Sequence, residues 1–224
     1  MIFSSYAKIN LNLKVNSKSK NSLHEIQSYF CLINLADKIQ LKKNKKNKDI
    51  ITFRGPFAKL VNKSNNTIFT LLKLLRKLRL LSNFYTITVT KNIPVYAGLG
   101  GGTSNAAAIF KYLLKKKINK SLIKKVENKT GSDFKLFFYK QGFLKNLRSI
   151  IDLKKKQKIF FVLIQPLVKC STREIYSRVR NYSRKKKLEK NEINTRLKLF
   201  NYLANSSNEL QSIVEKKYPI VKEL

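Results

Sequence analysis

Apolar and polar residues alternate over residues 2–15. Phe3, Tyr6, Ile9, Leu11, Leu13 and Val15 mark the apolar positions, and the alternation predicts a strand. Residues 26–43 carry a second strand-like pattern, and the lysine–asparagine run over 42–48 is a solvated turn. Residues 49–57 predict a strand ending at Gly55-Pro56. Over 65–81 the period changes. Ile68, Leu71, Leu72, Leu75 and Leu78 recur at helical spacing, with Asn66 or Thr67 as N-cap. Residues 83–94 return to period two with β-branched side chains and stop at Pro94. Helices are predicted over 104–117, capped by Ser104, and over 121–131, closed by Gly131. A loop and strand follow over 132–146, then a buried strand over 157–166 and a helix over 171–183. One or two more helices lie beyond residue 196. Helices and strands alternate, yet consecutive hairpin-like strands make the class α+β rather than doubly wound. A boundary near residue 157 divides the chain into lobes 1–156 and 157–224.

Composition narrows this picture. The chain has 224 residues, 43% of them apolar, enough for one large core or two small ones. Its longest apolar run, "IFFVLI" at 159–164, is too short to cross a bilayer, so no membrane is expected. The N-terminus reads as a strand with Lys8 early in it, not as a secretory leader. Cys31 and Cys170 lie far apart without metal-ligand spacing, which suits two inert buried thiols in a reducing cytoplasm. The net charge is +36. A nucleic-acid surface is one source of such charge. Lysine is scattered along the whole chain, however, and travels with asparagine, isoleucine, phenylalanine and tyrosine, as it does in proteins of AT-rich genomes. A pervasive charge is weaker evidence for nucleic acid than a focused patch.

One stretch stands apart. "PVYAGLGGGTSNAAAIF" (94–110) holds four of the seven glycines within five positions. It follows a predicted strand and opens a predicted helix. Free backbone N–H groups and the positive helix end converge there, and glycines let the backbone approach an anion closely. The letters fail two common phosphate loops. A Walker A loop needs lysine after its last glycine, where Thr103 stands, and the dinucleotide fingerprint needs a glycine at that same position.

The stretch resembles the second motif of the GHMP small-molecule kinases. Three further stretches agree in order with the branch of that family whose acceptor is a cytidine diphosphate-linked methylerythritol: "AKINLNLKV", "SLHEIQS" and "TGSDFKLFF". Weaker echoes follow in "IQPLVKCSTREIY" and "NSSNEL". The resemblance implies a two-lobe GHMP kinase fold, whose N-terminal lobe resembles the ribosomal-protein S5 second-domain fold and binds nucleotide. It implies ATP and Mg²⁺ as cofactors and phosphorylation of the acceptor's 2-hydroxyl, in non-mevalonate isoprenoid precursor biosynthesis. Lys8 and Asp133 match the family's catalytic lysine and aspartate. Pro94, Val95, Tyr96, Ala97, Gly98, Leu99, Gly100, Gly101, Gly102, Thr103 and Ser104 match its nucleotide loop, with Ser104 facing Mg²⁺, and Asn66 matches an asparagine near the adenosine. Asn10, His24 and Tyr176 match its substrate-binding positions, His24 reading the cytosine edge.

Three departures stand out. Leu23 replaces the tyrosine that stacks on cytosine, the Asp133-Phe134-Lys135 run lacks the family's proline, and no third glycine-rich motif follows "NSSNEL". The last of these implies a truncated C-terminal lobe, with a homodimer as one way to complete the clefts. Two other readings are weighed: a GHMP kinase for another small alcohol, and a basic RNA-binding protein on a related fold. The second gives no reason for the glycine loop or for the setting of Asp133.

Overall fold

The computed structural model describes residues 1–18, 23–153, 155–166, 168–185 and 195–224. It resolves into two compact units that interleave along the chain. The first comprises Met1–Lys8, Leu32–Val95 and Leu99–Phe138; the second comprises Ile9–Cys31, Tyr96–Gly98 and Tyr139–Leu224.

In the first unit, β4 (Ile50–Arg54) and β5 (Phe84–Thr90) pair in parallel, Ile51 opposite Ile87, and β5 pairs antiparallel with the second half of β3 (His24–Asn44). A parallel pair needs a crossover, and α1 (Thr67–Lys77) provides it. Ile68, Leu71, Leu72 and Leu75 form its buried face, as their spacing predicts. Asn66 caps the helix: its side chain accepts a 3.0 Å bond from the Phe69 N–H. Helices α2 (Gly101–Leu114) and α3 (Lys120–Thr130) complete one core with α1 and the sheet, centred on Ile39, Leu71, Ile87, Val89, Ala106, Phe110, Val126 and Phe134. The alanines at 106 and 107 are fully buried, so α2 lies close against its neighbours. Gly131, at a φ of 131°, ends α3.

In the second unit, the first half of β3 pairs with β2 (Lys14–Lys18) and with β6 (Gln141–Asn146), which in turn pairs with β7 (Ser149–Asp152). A small core of Tyr29, Phe143, Leu153 and Leu199 lies against it. Helices α4 (Thr172–Ser177), α5 (Arg196–Ala204) and α6 (Gln211–Lys217) belong here. Glu209 fastens the C-terminal region to β2: its carboxylate accepts from the Val15 N–H at 2.7 Å, and its own N–H donates to the Leu13 carbonyl at 2.9 Å.

Several expectations are corrected. The predicted first strand is two, β1 (Ile2–Asn10) and β2, separated at 11–13. Phe3, Ala7 and Ile9 lie on the inward face of β1 with Ser5, whereas Tyr6, read as an apolar strand position, is exposed on the other face. Residues 157–166 form no strand. They do not pair with the free edge of β7, and Phe160 and Val162 stand 80% and 89% exposed. Helix 171–183 stops at Ser177. The residues after it serve β2 instead, with the Ser183 N–H donating to the Val15 carbonyl at 2.9 Å. Helix α2 begins three residues earlier than predicted, so Ser104 is inside it and Gly100 holds the N-cap position. Cys31 is buried, which pushes its thiol up to about 12, but Cys170 is only half-buried. No helix among the described residues is long and apolar enough to cross a membrane.

Candidate active site

The glycine stretch forms a turn between β5 and α2. Gly98 and Gly100 take φ values of 71° and 67°, in the left-handed region that favours glycine. At Gly98 an added Cβ would meet nothing within 4 Å, whereas at Gly100 it would fall 2.9 Å from the Phe137 ring and 3.8 Å from an Asp133 carboxylate oxygen. Gly100 thus brings bare backbone up to Asp133. As N-cap it offers no side chain to the first turn of α2, so the N–H groups there are not capped from within. An uncapped N-terminus beside open space fits an anion.

Asp133 follows α3, on the turn opened by Gly131, where the Phe134 N–H donates to the Gly131 carbonyl at 3.1 Å. Its carboxylate lies 3.0 Å from the Lys8 Nζ. The lysine side chain is 3% exposed and the aspartate 31%, so the pair is sheltered on the lysine side and open on the carboxylate side. The Lys8 backbone N–H donates to the Leu99 carbonyl at 3.0 Å. One residue therefore ties β1 both to the glycine loop, through its backbone, and to Asp133, through its side chain. Sequence reasoning singled out both charged residues, but could not show this double tie.

The loop hydroxyls are placed otherwise than expected. Ser104 is 3% exposed. Its hydroxyl donates to the Tyr6 carbonyl at 2.6 Å and shares a 2.7 Å bond with the Ser5 hydroxyl. Thr103 Oγ1 donates to the Thr130 carbonyl at 3.3 Å. Both hydroxyls are engaged within the protein, whereas the family resemblance implies that Ser104 faces Mg²⁺. Ser104→Ala is accordingly expected to cost about 1 kcal/mol of stability and to leave the Mg²⁺ dependence of turnover unchanged. Denaturant melts and a Mg²⁺ titration of the rate check it; a shifted Mg²⁺ requirement would restore Ser104 as a ligand. No three His, Cys, Asp or Glu side chains converge among the described residues. Mg²⁺ keeps much of its water and binds largely through phosphates, so this site fits the ion as one carried by a nucleotide.

Asn66 uses its side chain locally. Besides capping α1 it donates to the Asn62 and Lys63 carbonyls at 3.3 and 3.2 Å. Thr67, which the sequence offered only as a cap, donates its hydroxyl to the Gly102 carbonyl at 2.6 Å and so pins the loop's last glycine to α1.

A second group lies in the second unit. His24 stacks on Tyr176 with ring centroids 5.1 Å apart and planes 29° from parallel. Tyr182 lies 6.2 Å from His24 at 25°. The sequence reading paired His24 with Tyr176 but missed Tyr182, whose only signal was an aromatic six residues after Tyr176. Leu23 is 50% exposed. Partial burial, then the Lys18 charge, hold the His24 pKa below the ordinary histidine value, so its ring is neutral near neutral pH. Asn10 accepts a 3.1 Å bond from the Ser28 hydroxyl.

Residues 66–136 match the GHMP kinases N terminal domain. The chain is 40% identical, over 98% of its length and 78% of the relative's, to the 4-diphosphocytidyl-2-C-methyl-D-erythritol kinase of Pelagibacter ubique. It is 33% identical to that of Ureaplasma parvum, over 97% of this chain and 84% of the relative. A crystal structure of 4-(cytidine 5'-diphospho)-2C-methyl-D-erythritol kinase superposes on all of this chain and 80% of its own with a TM-score of 0.67, at 21% identity, so the fold is that of a GHMP kinase. With four ordered motifs, one fold and this level of identity over nearly its whole length, the chain belongs to the family of 4-diphosphocytidyl-2-C-methyl-D-erythritol kinases.

Proposed function

We propose that the chain transfers the γ-phosphoryl group of ATP to the 2-hydroxyl of 4-diphosphocytidyl-2-C-methyl-D-erythritol, a step in isoprenoid precursor biosynthesis. The observation that carries the reading is the Lys8–Asp133 pair, 3.0 Å apart, with Gly100 bringing bare backbone against the same carboxylate. Phosphoryl transfer asks a protein mainly for positioning and for charge compensation. Asp133 accepts the proton of the attacking hydroxyl. Lys8 holds that carboxylate in place and offsets negative charge as the oxygen attacks. The backbone from Gly98 to Gly102, Leu99 included, flanked by Pro94–Ala97 and by Thr103 and Ser104, receives the phosphates, with Asn66 toward the adenosine. ATP supplies the phosphoryl group, and its Mg²⁺ neutralises phosphate charge.

His24 and Tyr176 would recognise the cytosine, and Asn10 the remainder of the acceptor. A neutral imidazole has one donor and one acceptor nitrogen, which suits a base edge. Because burial and then the Lys18 charge lower the His24 pKa, the ring gains its second proton only at a pH below that of an ordinary histidine. Affinity for cytidine diphosphate should therefore be level from slightly alkaline pH down to that point and fall beneath it. Calorimetry across this range checks the sign, and affinity that rose on acidification would remove His24 from base recognition.

All the proposed nucleotide contacts fall within 1–156, which would make that segment the nucleotide-binding lobe, built on the S5-like fold, and 157–224 the C-terminal lobe. Two free cysteines suit a reducing compartment such as the cytoplasm. Association of two copies would be read by sedimentation equilibrium. The deciding experiment is phosphate transfer from [γ-³²P]ATP with Mg²⁺ to the cytidine-linked acceptor, with mevalonate and homoserine as competing alcohols. Label in the cytidine-linked product alone supports the reading; label only in another alcohol keeps the chemistry and rejects the acceptor.

A further inference from the structure

We infer that the buried Asp37–Lys91 pair is a positioning device for the glycine loop, fixing the backbone that enters it and holding an ammonium beneath Gly101. The inference rests on the reading of that loop as the site of the nucleotide phosphates.

Asp37 is 0% exposed and Lys91 2%, and neither lies in a motif that the sequence brought forward. One Asp37 oxygen accepts from the Lys91 Nζ. The other accepts from two successive backbone N–H groups, those of Asn92 and Ile93, each at 2.8 Å. The Asn92 side chain donates to the Ala36 carbonyl at 3.1 Å. The Lys91 backbone is held too, its N–H donating to the Arg54 carbonyl at 2.7 Å. Residues 91–93 are thus tied down by five bonds immediately before Pro94 opens the loop.

The pair also reaches the loop's far end. A Cβ on Gly101 would fall 3.1 Å from the Lys91 Nζ and 2.9 Å from the Ile93 Cγ2, so the first residue of α2 rests on both. Burying two charges costs desolvation that two apolar side chains of similar size would avoid, so stability alone does not account for the pair. Its location does. A cation at the positive end of a helix is unfavourable by itself and favourable once an anion sits beside it. Asp37 balances that cation, so the pair carries no net charge, and its ammonium end is the one that lies against Gly101.

The test is a double variant, Asp37→Asn with Lys91→Met, which keeps both shapes and leaves no lone buried charge. Melting temperature, the Kd of a non-hydrolysable ATP analogue and the two KM values are measured together. The analogue Kd and the KM for ATP should each rise about tenfold, with the KM for the alcohol within about twofold. Asn92→Ala, which cuts the bond to Ala36 without touching either charge, is the second arm and should weaken analogue binding about threefold. A folded double variant with the wild-type analogue Kd overturns the inference, and so does wild-type affinity in Asn92→Ala if the double variant does not fold. If the unaltered protein binds no analogue, the phosphate reading of the loop falls and this inference falls with it.

Discussion

Asp133→Asn should lower kcat by about 10²–10⁴, the usual contribution of a positioned general base, while both KM values stay within a few-fold of wild type. The substitution keeps the side chain's size and the turn at Gly131, so the loop and its approach through Gly100 are retained. What is lost is the oxygen that takes the proton and the charge facing Lys8 at 3.0 Å. Removing one member of a buried pair is destabilising when the other charge is stranded. Here the lysine is the buried partner, at 3% exposure, so some fall in melting temperature accompanies the loss of rate. The two effects separate in a single-turnover experiment on saturated enzyme below the melting transition: a missing base slows the chemical step itself. A single-turnover rate within tenfold of wild type would remove Asp133 from proton transfer and leave it an electrostatic partner of Lys8.

The sequence carried this site further than it carried the fold around it. Period and spacing sufficed for α1, β4, β5 and α3, because each presents one apolar face to one core. They failed where a segment's partner is set by tertiary pairing. The run at 159–164 is as apolar as a buried strand, yet it joins neither free edge of the sheet, β4 or β7. The start of α2 was misplaced for a related reason. Glycine costs a helix up to about 1 kcal/mol per residue, so propensity argues for starting after Gly102, yet Gly101 and Gly102 are helical where α2 meets Ile93 and Thr67. Motifs located Lys8, Asp133 and the loop, since those letters recur in fixed order. They were silent on Asp37, Lys91 and Thr67, which act on the loop through single contacts from distant parts of the chain.

Lys8→Met offers the complementary result, with kcat expected to fall about 10²–10³, in the range for losing one preorganised charge that stabilises a transition state. Methionine is close to lysine in length and is apolar, so it suits a side chain that is 3% exposed. The stranded group is now Asp133, whose carboxylate is 31% exposed and can be solvated, so the melting temperature should change less than in Asp133→Asn. Nucleotide binding supplies the sharper distinction. The bond from β1 to the loop runs from the Lys8 backbone N–H to the Leu99 carbonyl, and the substitution leaves it in place. The Kd of an ATP analogue should therefore stay within about threefold of wild type while the chemical step slows, the pattern of an interaction made only in the transition state. Calorimetry alongside single-turnover kinetics measures both quantities on one preparation. If nucleotide affinity fell as far as the rate, the side chain would be an anchor of the loop. Lys8 would then act on catalysis only through the position of the phosphates, and charge compensation would have to come from elsewhere in the site.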